Sequence, residues 1–148
     1  MIPKSVLKSL IKRRLDDARA LLNNRRYSSA IYLSGYVVEL ALKLRICRIM
    51  KFTNGFPETL AEFTLYYSDT SKTLLRSNIK ELRDIRHHNL TVLLRYSGEQ
   101  LSIESNFLTE WNYVKKWNPE IRYIYDIIKK QRSVEFIKNV RVVVKELL

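Results

Sequence analysis

The stretch Tyr27-Ser-Ser-Ala-Ile-Tyr-Leu-Ser-Gly-Tyr-Val-Val-Glu-Leu-Ala-Leu-Lys43 decides the fold. Ala30, Leu33, Val37, Leu40, Leu44 and Cys47 alternate three and four residues apart, the period of one helix face. Ile31, Val38, Leu42 and Ile49 form a second stripe. Two stripes predict a helix over 27–51 that is buried on more than one side, central in a bundle or lining a dimer seam. Gly35 costs helix propensity, which a close helix crossing explains. Glu39 and Lys43 stand four apart in the better orientation for an ion pair, which a carboxylate in such apolar surroundings needs.

Working outward, Leu7, Ile11, Leu15, Ala18 and Leu22 predict a first helix from about Pro3 to Asn23. Proline is tolerated at such a start because its missing N–H has no partner to lose. Thr53 to Pro57 reads as a loop, Glu58–Tyr67 and Ser71 to about Arg86 as helices, and 87–98 as irregular with a helical turn at Thr91–Arg95, ended by Gly98. Ser102–Trp117 reads as a further helix. Asn118 and Pro119 look like a helix start, and Ser133 like the cap of a last helix with Ile137, Val140, Val144 and Leu147 inward. The expectation is an all-α, up-and-down bundle of about five main helices, one domain over 1–148.

Composition agrees. The 148 residues hold only three Gly and three Pro, against a turn-rich sandwich or barrel, and the 46% apolar content argues against disorder. A single cysteine, Cys47, rules out an intrachain disulfide. The motifs CxxC, HExxH, GxGxxG and GxxxxGK[ST] are missing, so no metal and no cofactor is expected. Lysines interrupt the first 14 residues, and the apolar run Ala30–Leu44 contains Glu39 and Lys43. The expectation is therefore a cytoplasmic protein with no membrane contact.

The net charge of +12 is uneven. Residues 1–51 carry 12 basic and 3 acidic side chains, 52–110 carry 6 and 8, and 111–148 carry 9 and 4. Two basic ends attract polyanions, RNA above all, or an acidic partner.

The only histidines are His87 and His88, in Lys80-Glu-Leu-Arg-Asp-Ile-Arg-His-His-Asn-Leu90. A neutral imidazole can take the proton of a 2′-hydroxyl, and a guanidinium can hold the phosphate oxygens as charge builds. Arg83 and His88 are the pair such metal-free phosphodiester cleavage would use. On a continuous helix, Arg83 and His87 share a face, while His88 points about 140° away from Arg83. The plainer reading has one histidine bracing a helix end and the other facing water.

The Tyr27–Lys43 stretch resembles the signature of the HEPN family (higher eukaryotes and prokaryotes nucleotide-binding): a Tyr, an Ala, a small-aromatic step, then Glu-Leu-x-Leu-Lys. Ala18-Arg-Ala-Leu-Leu22, His88-Asn-Leu90 and Trp117-Asn-Pro-Glu-Ile-Arg-Tyr123 resemble further family steps. The resemblance implies a helical homodimer of a prokaryotic toxin–antitoxin or defence system, with a nucleotidyltransferase-like antitoxin as partner. It also implies a metal-independent ribonuclease whose Arg, polar residue and His would be Arg83, Asp84 and His88, with His87 beside them. Arg86, Arg122 and Tyr123 are the expected RNA or nucleotide contacts. Leu90 stands where one toxin group carries a tyrosine that its partner modifies. The His-Asn-Leu context also resembles a branch whose histidine is structural. The alternative expectation is therefore a non-catalytic nucleotide- or RNA-binding module, and a third is a plain scaffold.

Overall fold

In the computed structural model the described residues are 1–66, 79, 81–123 and 128–148. They form seven α-helices: α1 Lys4–Asn23, α2 Tyr27–Ile49, α3 Leu60–Thr64, α4 Leu90–Ser97, α5 Gln100–Asn106, α6 Leu108–Val114 and α7 Lys130–Leu147. Two 3-10 turns, Leu82–Asp84 and Pro119–Tyr123, complete them. No strand occurs among the described residues; Ile2 and Phe56 make one isolated antiparallel bridge. The all-helical expectation is met.

Helix α2 is the hub. It packs against α1, α7, α4 and the Pro119–Tyr123 turn. Ala30, Ile31, Val37, Val38, Leu40, Leu42, Leu44 and Cys47 are all buried and Leu33 is half-buried, so both stripes face protein over most of their length. Ile49 departs from this: it stands at the last position of the helix and is exposed. Burial pushes the Cys47 thiol pKa up to about 12.

The ends of α1 and α2 use a device that composition conceals. Arg25 (φ 60°) and Lys51 (φ 53°) both adopt the left-handed conformation just beyond the helix. Arg26 N–H donates to Leu21 C=O and Arg25 N–H to Leu22 C=O; Phe52 N–H donates to Cys47 C=O and Lys51 N–H to Arg48 C=O. These are Schellman closures built without glycine, at a backbone cost of roughly 1 kcal/mol each.

Several expectations are corrected. Gly35 does not serve a helix crossing: a Cβ there would lie 2.3 Å from Cγ of Trp117, so the indole itself fills the space. The Thr91–Arg95 turn is a full helix, α4, capped by Asn89, whose side chain accepts from Val92 N–H, and closed by Gly98 at φ 76°. The expected 102–117 helix is two helices, broken at Phe107 (φ −134°, ψ 31°). Asn118 does act as a cap, accepting from Glu120 N–H, but the element it opens is a 3-10 turn. Ser133 caps nothing. Helix α7 begins before it at Lys130, and its buried hydroxyl donates to Tyr27 C=O on α2. Ile137, Val140, Val144 and Leu147 are buried as expected. Most of the expected 71–86 helix lies outside the described residues, and its described end, Leu82–Asp84, is one 3-10 turn. No helix of the described residues is long and apolar enough to cross a membrane.

Candidate functional site

The two histidines lie between apolar anchors. Leu82 and Ile85 are buried on one side, and Leu90 on the other. Between them the chain leaves the 3-10 turn and enters α4 at its Asn89 cap. No continuous helix joins Arg83 to His88, so the helical-wheel angle expected between them does not apply.

His87 is a local brace. Its Nδ1 accepts from Asn89 N–H at 3.1 Å, which leaves the proton on Nε2 to donate to Asp84 C=O at 2.8 Å. Both ring nitrogens are spent on backbone within three residues. Asp84 also acts locally: its carboxylate accepts Glu81 N–H at 2.9 Å.

His88 is placed differently. Its Nδ1–H donates across 49 residues of sequence to Glu39 Oε2 on α2, at 2.8 Å. Glu39 has no exposed surface, and its other oxygen accepts from Lys43 Nζ at 2.7 Å. The Glu39–Lys43 pair expected from sequence is present, and His88 is its third member. The His88 side chain is 57% exposed, and its Nε2 has no partner among the described residues. A carboxylate on Nδ1 fixes the tautomer and orients the ring, the arrangement that serves a general base.

The ring opens onto a cleft of about 410 Å³. Asn89, Leu90 and Thr91 at the start of α4 form one side; Lys115, Lys116 and Trp117 after α6 form another. The first amides of α4 and two lysines make this a positive concavity suited to an anion. The lysines were missed in the sequence, although Lys115-Lys116-Trp117 is a basic and aromatic run of the kind that marks nucleic-acid surfaces. The contact of His88 with Glu39 was not legible, because nothing in a 49-residue separation signals it.

Arg83 is not assembled with His88 within the chain. Its side chain is 82% exposed, and its Nε pairs with Glu81 at 2.6 Å. Arg86 is exposed on the same segment. Arg122 and Tyr123 sit together in the second 3-10 turn. The Arg122 guanidinium lies 4.7 Å from the Tyr123 ring and 6.0 Å from the Tyr32 ring, and it bonds the Tyr32 hydroxyl, which pushes its pKa up. Among the described residues, no three His, Cys, Asp or Glu side chains gather as a metal site. No family model, curated protein or solved structure matches the chain.

Proposed function

We propose that the protein is a HEPN-type ribonuclease of a toxin–antitoxin or defence system, cleaving RNA without a metal at the His88 cleft. The observation that carries this reading is the hydrogen bond from His88 to fully buried Glu39, beside a lysine-lined cleft.

The chemistry follows from the open nitrogen. His88 Nε2 takes the proton of a ribose 2′-hydroxyl as its oxygen attacks the adjacent phosphorus. The bond from phosphorus to the 5′-oxygen breaks, leaving a 2′,3′-cyclic phosphate. Glu39 stabilises the imidazolium, and Lys115 and Lys116 offset the phosphate charge. The reading includes a homodimer, in which each copy brings its Arg83 and His88 to a shared cleft. One imidazole then takes the 2′ proton while the other supplies one to the departing 5′-oxygen. Arg83 exchanges Glu81 for phosphate at little cost, because an exposed ion pair is weak. Cytoplasmic RNA as substrate and a nucleotidyltransferase-like antitoxin belong to the same proposal.

A second reading is favoured by one observation. Arg83 is engaged by Glu81, while Asp84 and His87 bond to backbone of their own turn. A binding module that holds RNA or a nucleotide without cutting would look the same. The discriminating experiment incubates single-stranded RNA with wild type and His88→Ala in EDTA. Catalysis predicts cyclic-phosphate ends from wild type and a loss of about 100-fold or more in the variant. Retention of RNA without cleavage by either protein supports the binding module.

A further inference from the structure

A second cavity, of about 270 Å³, shares Lys116 and Trp117 with the His88 cleft. Its other walls come from three helices and the second 3-10 turn: Ile31 of α2, Tyr113 of α6, Arg132 and Phe136 of α7, and Ile121 of Pro119–Tyr123. The volume is at the small end of the range for ligand pockets, room for a ring system rather than an extended molecule. Of the three aromatic walls, Tyr113 is exposed and offers a ring face, while Trp117 and Phe136 are mostly buried and add an apolar floor. The two charged walls, Lys116 and Arg132, are exposed cations, and no acidic side chain lines the cavity among the described residues. The Tyr113 hydroxyl is already committed to Glu135 at 2.8 Å.

Trp117 is the wall common to both cavities, and its placement is built in. Its indole occupies the space that a side chain at position 35 would need. It is 5% exposed, yet its Nε1–H has no partner among the described residues. A buried donor without an acceptor is uncommon and costly, so packing, not a hydrogen bond, holds this indole in place. Tyr32, tilted against Trp117 at 6.4 Å, continues the aromatic surface outward to Arg122 and Tyr123. Aromatic faces interleaved with cations match one chemistry well: flat bases carried on a phosphate backbone.

We propose that this cavity is a nucleotide subsite, holding a base against Tyr113, Trp117 and Phe136 with its phosphate on Lys116 and Arg132. The inference rests on the reading of the His88 cleft as a phosphate site, and it places the base next to the phosphate bound there. The same chemistry is presented by a free nucleotide and by single-stranded RNA.

The test titrates AMP, GMP, CMP, UMP and ribose 5-phosphate into the full-length protein, followed by calorimetry and by tryptophan fluorescence. At least one nucleoside monophosphate should bind about tenfold more tightly than ribose 5-phosphate, the gain from one stacked base. Arg132→Glu and Tyr113→Ala, both at exposed positions, should each weaken that binding about fivefold or more, in line with loss of one cation or one ring. Displacement of the nucleotide by an oligoribonucleotide supports the subsite with RNA as its source; binding without displacement supports it with the free nucleotide. Equal affinity for nucleotide and ribose 5-phosphate in wild type overturns the subsite, whether or not the variants fold. Binding insensitive to both substitutions also overturns it. RNA cleavage is scored separately: cleavage without base preference sinks only the subsite, and base preference without cleavage sinks only the catalytic reading.

Discussion

His87 and His88 are neighbours in the chain, and their surroundings differ in kind. His87 is half-buried and gives both nitrogens to backbone groups of its own turn. His88 is exposed, gives one nitrogen to a carboxylate buried in another helix, and keeps the other open to a positive cleft. A side chain whose hydrogen-bonding capacity is used up locally is scaffolding. One held rigidly from behind and left open in front is poised to act on something else. Glu39, buried in α2, is what holds His88 from behind.

The largest effect should come from Glu39→Ala. It removes the partner of both Lys43 and His88 and leaves the lysine, 12% exposed, without its counter-ion. A loss of about 2–4 kcal/mol is expected in urea unfolding. Glu39→Gln should keep most of the stability and still slow cleavage, by releasing the His88 tautomer. Equal cleavage by Glu39→Gln and wild type would break the contrast between the two histidines.

Gly35→Ala comes next. The added methyl meets the Trp117 ring at 2.3 Å, so overpacking of roughly 1–3 kcal/mol outweighs the gain in helix propensity. Its tryptophan emission should shift along with the loss of stability. A stabilised Gly35→Ala variant would show that Trp117 is not fixed by that contact.

His87→Ala should cost about 1 kcal/mol, the worth of its two backbone bonds, and should leave cleavage per folded molecule near wild type. The last test concerns Cys47, whose effect is nil at neutral pH and appears only in alkali. Its folded pKa is raised from 9.0 to about 12, so folding favours the thiol. That stability is fully present below pH 9 and is lost as pH rises from 9 towards 12. The native protein should therefore resist alkylation at pH ~8, while the unfolded chain reacts at once. Rapid alkylation of the folded protein would contradict the burial.

How much of this was legible in the sequence divides along physical lines. Helices α1, α2 and α7 were readable because their faces repeat every three to four residues over 18 residues or more. The Glu39–Lys43 pair was readable because it is four apart on one helix. The break at Phe107 was not readable, since no Gly or Pro marks it. Nor were the left-handed turns at Arg25 and Lys51, where the residue type argues the other way. At the site, residue identity singled out His88, but its partner, its cleft and the lysines across that cleft arise from tertiary packing. Arg83 is the converse case: spacing to His88 suggested a pair, within one chain its guanidinium meets Glu81, and the pairing with His88 across a dimer belongs to the proposal.

The measurement that tests the central claim most directly sets the two histidines side by side. Wild type, His87→Ala and His88→Ala are incubated with the same RNA in EDTA, with rates corrected for the folded fraction and product ends identified by mass spectrometry. The expected result is 2′,3′-cyclic phosphate ends from wild type and His87→Ala at similar rates, and a loss of about 100-fold or more for His88→Ala alone. Cleavage by His88→Ala at the wild-type rate, or equal losses in both variants, would contradict it.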